Sequence, residues 1–239
     1  MTGIEERLSR IEQRLDEIYA LLARLTDLRG EEPAAPLPPP PAPPAPVEEL
    51  PAEAFEVVEP AVELLDPLDI QYELALHWAE QGRRADLSEF DLSGRNLRGI
   101  DLKDARIERA NLSRADMTTA RLMRANLTGA DLSHARLDRT DFSRAVLAHA
   151  DLTFAFLSYA KLQGANLRYA LLTRANLVGA NLGGADLSEA QLNRANLMRA
   201  NLKDAHVHRR QLATVSALDG ATMPDGRLYD GDPEPYKTG

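Results

Sequence analysis

Cysteine does not occur in the 239 residues, so disulfides and thiolate metal ligands are both excluded, which fits a reducing compartment. Aromatic residues make up only 5 % of the chain, with a single tryptophan. No uncharged apolar run approaches the ~18 residues that a bilayer span requires. The opening Met1-Thr2-Gly3-Ile4-Glu5-Glu6 lacks a basic segment followed by an apolar one, so no secretory signal is visible. The expected location is the cytoplasm. Glycine-rich phosphate loops are missing, and Gly179, Gly183 and Gly184 read as outward positions where a side chain is optional. Nor does any grouping of nucleophile, base and acid stand out. Of five histidines, only His206 and His208 share a face, flanking Val207, and they lack the further ligands a metal would need. These absences predict a protein that is not an enzyme, with no cofactor, no metal and no small-molecule substrate.

What is present is a repeat. From Leu87 to Leu212 every fifth residue is apolar, 26 positions without an insertion. A small residue, almost always alanine, stands two places before each, and Asp or Asn often stands between, as in Ala125-Asn126-Leu127-Thr128-Gly129. Internal periodicity of this kind fixes the architecture before any single element does. A helix would carry a five-residue period round its whole cylinder. A flat strand would throw successive leucines onto opposite faces. The pattern closes only if the backbone turns a corner once per pentad, so that four pentads make a square coil with Leu and Ala inside. Stacked at the ~4.8 Å spacing of paired strands, 6.5 such coils form a rod of roughly 30 Å. Asp or Asn suits the corner, because its short side chain satisfies nearby backbone groups. The numerous aspartates are therefore structural.

The tandem Ala-(Asp/Asn)-Leu-X-X array resembles the pentapeptide-repeat family over about residues 85–214. That resemblance implies an all-β solenoid, a right-handed quadrilateral β-helix. Phe90, Arg95, Ile100, Thr140 and Arg210 depart at the small position, and Phe142 replaces the central leucine.

Residues 1–30 are read as an oligomerisation helix. Ile4, Leu8, Ile11, Leu15, Ile18, Leu22 and Leu25 recur at alternating spacings of four and three. With Leu at a and Ile at d, such a coiled coil favours a homo-oligomer of three or four strands, formed through residues 4–28. Residues 31–65 are an expected proline-rich and acidic disordered linker, its residues 33–46 a polyproline spacer. Residues 66–84 predict an N-terminal capping helix, with Asp66 as N-cap, Pro67 in the first turn, Gly82 as terminator and an apolar stripe of Leu68, Tyr72, Ala75, Leu76 and Ala79. Residues 85–214 are the β-helix, and 215–239 a C-terminal cap with a loose tail.

Charge divides the chain. Residues 1–84 carry a net −11, residues 85–214 a net +5 and residues 215–239 a net −3. Specificity in a repeat protein sits on outward residues, and two neighbourhoods leave the polar background. One is apolar: Val146, Phe154, Phe156, Tyr159, Tyr169 and Leu171 are candidate partner-binding residues. The other is basic, Arg121, Arg124, Arg136, Arg139, Arg144 and Lys161, and reads mainly as charge neutralisation between stacked coils. The expected function is a non-enzymatic protein-interaction scaffold presenting rigid rods from a coiled-coil oligomer to an unknown protein partner. The family resemblance also implies an alternative, a topoisomerase (gyrase)-binding DNA mimic. The rod's positive charge opposes it, since such mimics have strongly acidic rods. A further alternative is binding to an anionic surface, but +5 spread over four sides is weak for nucleic acid or membrane.

Overall fold

The computed structural model describes residues 67–81, 84–229 and 231, all within one compact unit spanning Ala61–Gly239. The expected coiled coil over residues 4–28, the linker, Asp66, Gly82 and the chain past 231 lie outside the described residues.

Helix α1 runs Pro67–Glu80. Ala75 is fully buried, and Tyr72, Leu76, Trp78 and Ala79 pack against the rod's core. Leu68, placed on the apolar stripe by its spacing, is exposed, whereas Trp78 at the stripe's margin meets Phe90 with ring centroids 6.0 Å apart. Tyr72 donates its hydroxyl to the Asn96 carbonyl, Gln71 accepts from the Asp91 amide, and Asp69 pairs with Arg95 at 2.7 Å. The departures Phe90 and Arg95 thus meet this helix. At those positions a small residue would leave its underside without contacts.

From Asp86 to His206 the chain winds as a β-helix. Each bridging residue pairs in parallel with the residue 20 places on, from Asp86 with Arg106 through to Asp186 with His206. One pentad shows the wiring. Leu112 N–H donates to the Asp131 carbonyl at 2.7 Å, and Arg114 N–H to Ser133 at 2.9 Å. Ala115 N–H then turns back to the Leu112 carbonyl at 3.1 Å, closing a four-residue turn. The second central residue of each turn has positive φ, as a type II turn requires. The Asp or Asn before the leucine accepts from the N–H two residues on, as in Ser133 N to Asp131 Oδ1 at 2.9 Å and Thr128 N to Asn126 Oδ1 at 3.1 Å. All 24 central residues from Leu87 to Leu202, Phe142 included, are no more than 2 % exposed. Full burial of each contributes ~1.5–3 kcal/mol. Thr140, buried at a small position, keeps its hydroxyl satisfied by donating to the Met117 carbonyl at 2.8 Å.

The C-terminal end departs from the expected 26 uninterrupted pentads. Val207 is only half-buried, and a short helix, α2 (Arg209–Leu212), interrupts the coil. Gln211 stands where a bridging residue would donate its backbone N–H. Its side chain takes over instead: Nε2 donates to the carbonyls of Leu187 (2.8 Å) and Ala190 (2.7 Å), and Oε1 accepts from His208 N–H (2.8 Å). Leu212 still fills the core at 3 % exposure. The detour inserts one residue, so pairing resumes 21 places on, Asn196 with Ala217 and Asn201 with Thr222. Leu218 and Met223 then continue the buried column. Solenoid pairing therefore passes the expected boundary at 214 and ends in an antiparallel bridge between Thr222 and Leu228.

Candidate interaction face

A 20-residue coil makes outward residues stack in files along the rod axis. One turn file runs Arg114, His134, Phe154, Arg174, Arg194, and the next round the tube runs Thr119, Arg139, Tyr159, Gly179, Arg199. Between them lies a bridging file: Asp116, Arg136, Phe156, Asn176, Asn196. Coil spacing governs the contacts within each file. The Phe154 ring stacks on His134 with centroids 4.9 Å apart, and Arg174 covers its other side at 5.3 Å. Tyr159 lies against Gly179, where an added Cβ would sit 2.7 Å from the ring. A side chain at Gly179 is therefore excluded, contrary to expectation, and its absence seats the tyrosine.

The six apolar candidates do not form one patch. Phe154, Phe156 and Tyr159 share one side of a single coil, all exposed, at 38, 47 and 56 %. Tyr169 and Leu171 occupy the adjoining corner, with Tyr169 stacked on His149 at 5.0 Å. Val146 lies on another file, between Asn126 and Asn166, and is half-buried like Leu171. Their closeness in sequence places them at one height on the tube, spread round its circumference.

The basic candidates divide as well. Arg121 pairs with Asp101 at 3.3 Å, Arg136 with Asp116 at 3.9 Å and Lys161 with Asp141 at 3.6 Å. Arg124 grips Asp104 through two 2.6 Å bonds, which hold that carboxyl below its ordinary value and raise the guanidinium. These four neutralise neighbouring coils. Arg139 and Arg144 have no acidic partner within 4 Å among the described residues, nor do Arg114, Arg174, Arg194 and Arg199. All six sit at the turn position. Sorting the sequence by its place in a 20-residue coil, rather than by nearness along the chain, would have added Arg114, Arg174, Arg194 and Arg199 to the candidates.

Five carboxylates of the bridging files, Asp86, Asp91, Asp116, Asp141 and Asp186, are held low by local bonds. Asp86 is lowered by Ser88, whose N–H donates to its Oδ1 at 3.2 Å, and Asp91 by the N–H and hydroxyl of Ser93. At Asp116 burial pushes the other way, but bonds from Thr118 and Arg98 outweigh it. These are structural roles, not those of proton carriers. Among the described residues no group of three or more His, Asp or Glu side chains is placed to hold a metal. His206 bridges to Asp186, and His208 precedes α2. No described helix is long and apolar enough to cross a membrane.

The family model of pentapeptide repeats (8 copies) matches three consecutive segments, residues 85–124, 125–164 and 165–204. This chain belongs to the pentapeptide-repeat family. The chain is also similar to solved structures. HetL, a pentapeptide repeat protein involved in heterocyst differentiation regulation from Nostoc sp. strain PCC 7120, is 35 % identical, with a TM-score of 0.50 over 62 % of this chain and 76 % of its own. A pentapeptide repeat protein of the Arabidopsis thaliana thylakoid lumen is 33 % identical over 48 % of this chain and 73 % of its own, with a TM-score of 0.27. QnrB1, a plasmid-mediated fluoroquinolone resistance protein, is 20 % identical over 58 % of this chain and 78 % of its own, with a TM-score of 0.39. No curated protein sequence matches the chain. In this pentapeptide-repeat protein the interior is closed by its own leucines, so whatever distinguishes it is carried by the outward files.

Proposed function

We propose that this pentapeptide-repeat protein is a non-enzymatic interaction scaffold. Its N-terminal heptads gather three or four chains, its proline-rich stretch acts as spacer, and each rod offers one side to a protein partner. Helix α1 serves as the cap that an open solenoid end requires. The observation that carries the proposal is the sealed column from Leu87 to Leu202, which leaves chemistry only on the outer surface. Further support comes from the 4-3 spacing of Ile4, Leu8, Ile11, Leu15, Ile18, Leu22 and Leu25. Gathering rods multiplies weak contacts, raising avidity by ~10²–10⁴ where geometry allows. Light scattering on the full chain and on a residue 66–239 fragment tests it. A trimer or tetramer that becomes a monomer on truncation is the expected result; a full chain that is itself monomeric refutes it.

A further inference from the structure

The rod's positive charge is concentrated on one side. The six segments 94–99, 114–119, 134–139, 154–159, 174–179 and 194–199 build that side, and they hold eight arginines against two aspartates. Their net is +6, so the rest of residues 85–214 sums to −1. On this side the coil holding Phe154, Phe156 and Tyr159 presents three aromatic residues in a row across the face. Arg136 and Arg139 lie one coil before that row, Arg174 one coil after, and Arg194 and Arg199 the next. An exposed apolar bar bounded along the axis by cations, five of them with Arg114 lacking any acidic partner within 4 Å among the described residues, is an unsatisfied surface.

We propose that this side binds an extended acidic peptide segment of a partner protein, apolar residues across the aromatic row and carboxylates on the flanking arginines. The proposal rests on the scaffold reading and names the partner's chemistry. Charge complementarity requires an anion, and guanidinium groups suit paired carboxylate oxygens. Nucleic acid is the competing anion, and the ring geometry disfavours it. Base stacking needs an open ring face, but Phe154 is covered by His134 and Arg174, and Tyr159 lies on Gly179. Phe154 is left with a ring edge, and the exposed apolar row suits aliphatic or aromatic side chains. The spacing also selects a pattern. From the level of Arg139 to that of Arg199, as from Arg114 to Arg174, is three coils, ~14 Å, which is about four residues of extended peptide at ~3.3 Å each, and residues four apart share one face of a strand. The preferred ligand therefore has acidic residues four apart with an apolar residue midway between them on the same face.

The test is fluorescence anisotropy with the full chain and a labelled peptide carrying two Glu-Ser-Phe-Ser-Glu blocks. Binding should weaken at least tenfold in Arg174→Glu and in Arg139→Glu, and likewise in Phe156→Ser. It should stay within twofold in Arg144→Glu, an unpaired arginine on another side. Circular dichroism checks each fold, and Arg174→Gly, which suits the positive φ at that turn, stands in for any reversal that unfolds. No binding by the wild type, or equal loss in Arg144→Glu, overturns the proposal. So does a uridine oligonucleotide that binds more tightly and displaces the peptide. Light scattering on the same samples separates the two ideas: a monomer that binds the peptide through these arginines refutes the scaffold but keeps the site.

Discussion

Gln211 holds the junction between the regular coils and the shifted last one, and its removal has a calculable effect. The side chain is 8 % exposed and supplies both donors that the Leu187 and Ala190 carbonyls receive from it, at 2.8 and 2.7 Å. Gln211→Leu keeps the volume and removes both, together with the acceptor for His208 N–H. A buried polar group left unsatisfied costs ~1–3 kcal/mol. The Leu187 carbonyl still accepts from Ala190 N–H at 2.9 Å, so the Ala190 carbonyl is the group left short and ~1–3 kcal/mol for the junction is the working figure. Repeats couple only to their neighbours, so the loss should fall on the last coil rather than the whole rod. Amide exchange reads this directly. Protection of Arg194 and Leu197, whose N–H groups donate to Thr214 and Ala217, should drop ~5- to 140-fold, since each 1.4 kcal/mol is tenfold. Leu127 and Leu147, several coils away, should be unchanged. Gln211→Glu should cost still more near neutral pH, because it aims a carboxylate at two carbonyls. Unchanged exchange at Arg194 and Leu197 in Gln211→Leu, or a uniform rise along the rod, would refute the substitution of side chain for backbone.

Acid should weaken the rod: Asp86 and Asp91 are lowered by their bonds from Ser88 and Ser93, so that stabilisation is complete above the unfolded carboxyl value of ~3.9. It is lost as pH falls through the lower folded values, and melting temperature should decline only below about pH 4. Gly179→Ala should be more destabilising in urea than Gly184→Ala, because both share φ +65 but only the first meets a ring at 2.7 Å; adding Tyr159→Ala should erase the difference. Thr140→Val should cost no more than ~1 kcal/mol in the same assay, since the Met117 carbonyl also accepts from Ala120 N–H at 2.9 Å. Arg194→Gly should leave thermal stability equal or slightly higher, because it relieves a left-handed turn at φ +59 and breaks no ion pair among the described residues; a clear loss would show that the arginine serves the fold.

The tube was legible because a five-residue period has one closed solution, and each position then had a physical occupant: leucine inside, alanine beside it, Asp or Asn on the corner. Gln211 was harder to read. Leu212 keeps the five-residue spacing and the core position, so periodicity alone hides the helical turn that delivers it. The signals were local, Arg210 at the small position and Gln211 where Asp or Asn prevails. Beyond it, Leu218 and Met223 remain five apart with Ala221 two places before Met223, so a further coil was readable once a single inserted residue was allowed. The interaction face was obscured differently. The 20-residue coil already sets His134 and Arg174 one coil either side of Phe154, and the ring contacts agree; what stayed hidden is that Val146, Tyr169 and Leu171, near in sequence, lie on other files.

Backbone geometry sharpens the case for that face. All 24 turn positions from Glu89 to Asp204 adopt positive φ, and only six hold glycine. An L-residue there costs ~1–2 kcal/mol, against the ~0.5–1 kcal/mol of extra chain entropy that glycine forfeits. Stability alone would therefore favour glycine or leave the choice even. Arginine nevertheless occupies eight of the eighteen others. Arg109 and Arg124 recover the cost through Glu89 and Asp104 one coil away. The other six have no such acidic return within 4 Å among the described residues; Arg144 lies on another side, and Arg114, Arg139, Arg174, Arg194 and Arg199 border the side that carries Phe154, Phe156 and Tyr159. Arg174 recovers part of its cost over the Phe154 ring at 5.3 Å, whereas for Arg114, Arg139, Arg194 and Arg199 no ion pair among the described residues offsets the unfavourable backbone, and the proposed acidic partner would supply that offset.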